Sequence, residues 1–148
     1  MENLSVVIPD FKSEYLEKTI ISSLLLGVEE IIISNFRTEY TDSLKKKFSY
    51  KKGIRFLDFN EKKNPGDYRN EGADKVTKDF ILFLDSDIEI TEKTKFFINN
   101  TILNLGTDEI LWGQYENSNN LGLLQRLQTN ILRYRFSKSL YEKSLEKN

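Results

Sequence analysis

The sequence predicts an α/β domain with a mainly parallel central sheet and helices on both faces. Three observations point there. Apolar runs of strand length alternate with helix-period segments, which is the pattern of parallel strands joined by right-handed crossovers. The runs SVVIP, IIIS and FILFL are nearly continuous in apolar residues, as strands buried on both faces are. Acidic and amide residues gather at the ends of those runs, where ligands bind in open sheets of this kind.

In chain order, LSVVIP (4–9) reads as the first strand. Ser13 is placed to cap a helix through Leu26, with Tyr15, Leu16, Thr19, Ile20, Ser23 and Leu24 on one face and Gly27 ending it. EEIIISN (29–35) is the second strand, Thr41 to Phe48 a short Lys-rich helix, and GIRFLDF (53–59) the third strand. EKKNPGD is a loop, Tyr68 to Val76 a helix, and DFILFLD the fourth strand. Thr91 caps a helix to about Leu105, and EILWGQY (109–115) reads as a fifth strand. From Leu121 an apolar stripe of Leu124, Leu127, Ile131, Leu132 and Phe136 marks an amphipathic helix over about 121–137, before a polar tail to 148.

A chain of 148 residues, 39% hydrophobic, suits one domain across 1–148. Net charge is −1, so no overall field favours nucleic acid as a partner. With no Cys and no His, thiol nucleophiles, imidazole bases and ordinary zinc sites are excluded. Acid–base or metal chemistry then falls to carboxylates, whose natural partners are hard cations such as Mg²⁺ or Mn²⁺. The N-terminus has no secretory pattern and no apolar run approaches ~20 residues, so a cytoplasmic protein is expected.

The fourth strand ends in Asp85-Ser86-Asp87. On an extended chain, side chains two apart share a side, so the two carboxylates converge and need a counter-charge. Upstream, Gly66 permits close backbone approach, and Asp67 can cap a helix whose first turn carries Arg69 and Asn70. Arg69 could grip a phosphate by a planar two-point contact, or form a salt bridge to Asp67 or Asp74.

VVIPDF, IIISNF, NPGDYRNEG and FLDSD, in this order at strand ends, together resemble the N-terminal half of an inverting family 2 glycosyltransferase, over roughly residues 4–115. The resemblance implies a Rossmann-like GT-A fold, a nucleotide-diphospho-sugar donor such as a UDP- or GDP-sugar, and a saccharide, lipid-linked or protein acceptor. It also implies a divalent cation, Mn²⁺ or Mg²⁺, with Asp87 as ligand and Asp85 as its support. Ser86 joins the nucleotide-sugar residues by position, without an assigned role. Pro9-Asp10-Phe11 matches the loop that encloses base and ribose. There Asp10 could accept hydrogen bonds, and Phe11 could stack on the base or plug the core. Asn35 stands where the family commonly has an acid, and can offer a base both a donor and an acceptor.

Glu116, after the fifth strand, is the last acid with a claim to face an acceptor, and the general base should be Asp or Glu. A polar strand end is the better explanation of Glu116. Family catalytic domains continue past this length, so a donor-binding or assembly module is the alternative to a minimal transferase. The 121–136 stripe, with Arg126, Arg133 and Arg135, suits a homodimer or peripheral contact with the inner face of an anionic membrane. DSDIEIT departs from a dehalogenase-like phosphatase motif at Glu89, and from a calcium loop at Ile90.

Overall fold

The computed structural model describes residues 2–102, all within one compact unit, Met1–Thr107. Strand and helix alternate as β1 (Leu4–Asp10), α1 (Leu16–Leu24), β2 (Glu30–Phe36), α2 (Glu39–Lys47), β3 (Ile54–Phe59), α3 (Pro65–Ala73), β4 (Phe80–Phe83) and α4 (Glu92–Ile102). The four strands form one parallel sheet in the order β3-β2-β1-β4. The expected strand at 109–115, the helix at 121–137, Glu116 and the tail lie outside the described residues. No helix among the described residues is long and apolar enough to cross a membrane.

Strand alternation sorts the buried residues between the two faces. Val6 and Ile8 of β1 and Ile31 and Ile33 of β2 pack with Leu16 and Ile20 of α1, Leu44 of α2 and Phe48 just after it. Ile98 of α4 rests against the same cluster. On the opposite face α3 packs against β1 and β2, and a Cβ on Gly72 would collide with the Val7 Cγ1 methyl. Gly72 thus lets the helix approach the sheet closely.

Three helix starts differ from the sequence reading. Ser13 does not cap α1: its hydroxyl donates to Ser86 O (3.1 Å) and accepts from Tyr15 N (3.2 Å), so the helix begins only at Leu16. Its last residues tighten into i→i+3 bonds that end at Gly27, whose φ is 65°. Tyr15, expected on the buried face, is exposed. α2 starts earlier than expected because Thr38 and Thr41 form a capping box. α3 likewise starts at Pro65, capped by Asn64, with Asp67 at N3 reaching back to Asn64 N (3.4 Å). Asp67 is therefore the second half of a capping box and not the cap, and Arg69 and Asn70 lie in the second turn. Thr91 does cap α4, accepting from Thr94 N (3.2 Å).

Candidate functional site

The strand order reverses at β1: β2 and β3 build out to one side, and the chain then returns to place β4 on the other. The crevice past the carboxyl ends of β1 and β4 is the topological switch point, where ligands bind in such sheets. Asp10 ends β1, and Asp85 follows β4 by two residues.

The Asp-Ser-Asp segment is a turn, not strand. β4 stops at Phe83, and Ile88 N donates to Asp85 O (3.1 Å), so Ser86 and Asp87 occupy the middle of a β-turn. The rule that side chains two apart share a face does not govern Asp85 and Asp87 here. Asp85 has found the counter-charge: Arg69 Nη2 reaches its Oδ1 at 2.5 Å, with the two side chains 36% and 42% exposed. Neither Asp67 nor Asp74 pairs with Arg69. Asp87 is exposed and makes no hydrogen bond or ion pair among the described residues. The turn is tied down through Ser86, whose carbonyl accepts from Thr19 Oγ1 (2.9 Å) and from Ser13 Oγ (3.1 Å). Ser86, without a role in the sequence, thus anchors the turn to α1.

Asp10 is 1% exposed. Burial raises its carboxyl above the usual carboxylate range, and the bond that Ser13 N donates to Oδ1 (3.1 Å), with the nearby Ser86 hydroxyl and Lys12 N–H, offsets this only in part. Its Oδ2 has no hydrogen-bond partner, and the same is true of Ser34 Oγ and Asn35 Oδ1. Asn35 is register partner to both Asp10 and Asp58, so the three form a polar row across the strand ends. Asn35 Nδ2 donates to Asp58 Oδ1 (3.1 Å) and to Phe36 O (3.3 Å). Lys45 Nζ holds the other Asp58 oxygen at 2.6 Å. Pro9, in β1 beside Ser34, is buried.

Phe11 does not plug the core. It is 44% exposed and meets Phe36 edge-on at 5.5 Å between centroids. Lys12 Nζ lies over both rings (5.6 and 5.0 Å) and Lys62 Nζ over Phe11 (5.0 Å). Lys12 itself sits at φ 61°, unusual for a residue with a side chain. No sequence signal singled out either lysine. Gly66 and Asn70 are exposed on α3, and a Cβ on Gly66 would come within 3.1 Å of the capping Asn64 Oδ1. The glycine therefore spares the cap as well as leaving the surface open.

Among the described residues no three acidic, His or Cys side chains converge as a complete cage for an ion. Mg²⁺ and similar cations are commonly held by one or two carboxylates with substrate phosphates and water completing the shell. The unpaired Asp87 carboxylate fits that kind of site.

No curated protein matches the sequence. Two crystal structures of S. aureus TarS 1-349 share the fold, with TM-score 0.58 for each. Identity is 22% for one and 23% for the other, which is in complex with UDP. Each match covers 69% of this chain and 32% of TarS, so the chain spans about a third of the structure it resembles. The family model described as glycosyl transferase family 2 matches residues 5–144, nearly the whole sequence, and the chain therefore belongs to glycosyl transferase family 2.

Proposed function

We propose that this glycosyltransferase takes a nucleotide-diphospho-sugar donor, depends on a divalent cation, Mn²⁺ or Mg²⁺, and inverts the anomeric carbon. The observation that carries the reading is the unpaired Asp87 carboxylate in the same turn as the Arg69–Asp85 pair, at the switch point of the sheet. In an inverting transfer the acceptor hydroxyl oxygen bonds to the anomeric carbon as the bond from that carbon to the β-phosphate oxygen breaks. The electron pair leaves with the nucleoside diphosphate, and the hydroxyl proton passes to a base. Asp87 would hold the cation, which neutralises the charge that develops on the departing diphosphate. Asp85 orients the Arg69 guanidinium, whose remaining N–H groups can meet a phosphate oxygen. Asp10 and Asn35 are assigned to the nucleoside, with Phe11 at the rim, and Glu116 to the base. The acceptor is a saccharide, a lipid-linked sugar or a protein.

Titration calorimetry of the chain with UDP and with GDP, each with and without Mn²⁺, tests this. Cation-dependent binding that disappears in Asp87→Ala supports it, and failure to bind any nucleotide overturns it. The alternative reading is a donor-binding module without transfer activity. Binding without hydrolysis or transfer of the donor sugar would select that reading.

A further inference from the structure

Asn35 raises a question that its residue type alone leaves open, since an amide can turn either its oxygen or its nitrogen toward a ligand. The surroundings decide it. Nδ2 is engaged by two acceptors, Asp58 Oδ1 and Phe36 O. Turned over, the amide would set its oxygen against both of them, oxygen facing oxygen. Asp58 cannot readily swing away, because Lys45 holds its second carboxylate oxygen at 2.6 Å. The atom left over is Oδ1, which is buried and without a partner, beside the equally unpartnered Oδ2 of Asp10 on the neighbouring strand. Asn35 Oδ1 and Asp10 Oδ2 are thus two buried acceptor atoms without a donor.

We infer that Asp58, braced by Lys45, is a positioning residue that locks the Asn35 amide with its oxygen toward the nucleoside, so that the site selects a base presenting a ring N–H. This rests on the nucleotide-sugar reading above and sharpens it to a class. Uracil and guanine carry a ring N–H on that edge, whereas cytosine and adenine carry a bare nitrogen there. An amide locked in this way does the work of a carboxylate in accepting the N–H, without adding a charge beside the buried Asp10. Both acceptor atoms are covered in the free chain, and the loop beyond β1 that covers this end of the sheet contains Lys12 at φ 61°.

The test is calorimetric titration of the full chain with UDP and CDP in Mn²⁺, since uracil and cytosine are nearly isosteric and differ in the ring N–H and its neighbouring group. Wild type should prefer UDP by about tenfold or more. Asp58→Ala frees the amide to rotate and should bring the ratio to about two or less, and Asp58→Leu, which fills the space without an acceptor, serves if the alanine variant melts early. Asn35→Asp combined with Asp58→Ala should restore the preference, because a carboxylate offers an acceptor in either rotamer. A merely structural Asp58 would weaken both nucleotides equally, and an unchanged ratio in Asp58→Ala would overturn the inference. So would equal affinity of wild type for UDP and CDP, the outcome expected if a proton on Asp10 already satisfies Asn35. If UDP, GDP and CDP all fail to bind, the nucleotide-sugar reading itself has failed.

Discussion

Two buried acids illustrate how neighbours decide the fate of a charge. Glu30, at the start of β2, is pushed up by burial. Hydrogen bonds from Ser5 Oγ, Thr77 N and Thr77 Oγ1, together with the Arg55 guanidinium at 2.6 Å, outweigh that and leave it below the ordinary glutamate range. A depressed carboxyl adds stability that is fully present above the unfolded pKa of about 4.3, and is lost as pH falls through the folded value. Glu30→Gln should therefore cost about 2 kcal/mol near neutrality, with the gap to wild type closing in acid, as urea melts across pH would record. Asp10 has the opposite sign. Its carboxyl is raised, so the fold disfavours the ionised form, and stability from this group grows as pH falls. Asp10→Asn should raise Tm near neutrality and lose that advantage in acid, while weakening UDP binding, an exchange of stability for function seen at many ligand sites. At Arg69 the pair with Asp85 is partly exposed, so Arg69→Ala should change stability by less than about 1 kcal/mol yet lower nucleotide affinity measurably. The demand of Asp85 and Asp87 for a counter-charge was legible in the sequence. Their convergence was not, because the premise of an extended chain fails once β4 ends at Phe83.

Among the elements, α3 bears most directly on the site, because it carries Arg69 to Asp85. Its start is encoded locally: Asn64 followed at once by Pro65 and three residues later by Asp67 is a capping-box pattern with proline at N1. Asn64→Ala should cost about 1 kcal/mol and fray the turn next to Arg69, visible as lost amide protection from hydrogen exchange over the start of α3. At the other end, Gly72→Ala drives a methyl into Val7 of the central strand β1. A β-branched side chain in a filled core has little room to yield, so a loss of about 1–3 kcal/mol is expected in thermal melts. The strands themselves were easily read, because burial on both faces leaves uninterrupted Ile and Val runs in β1 and β2. Ser13 is ambiguous in the sequence: a serine ahead of a helical pattern looks the same whether it caps that helix or, as here, bridges to Ser86.

Across the whole molecule, the parallel sheet followed from alternation alone, while the order β3-β2-β1-β4 came from pairings that no local signal encodes. Long-range partners were hidden for the same reason, among them Arg69 with Asp85, Thr19 with Ser86, and Lys45 with Asp58. None of the described contacts that build the fold uses the Asp87 side chain. Chelation by EDTA should therefore leave the melting temperature of the free chain unchanged while abolishing nucleotide-dependent stabilisation, which differential scanning fluorimetry would separate. The position of β1 between β2 and β4 has a kinetic consequence. Its pairing with β2 closes a short loop, but Leu4 meets Phe80 only after two strands and three helices have intervened, and late-closing contacts between distant residues form slowly. The Arg69–Asp85 and Thr19–Ser86 contacts depend on that final docking, so recovery of nucleotide binding during refolding should lag the return of helical signal and report the last step of assembly.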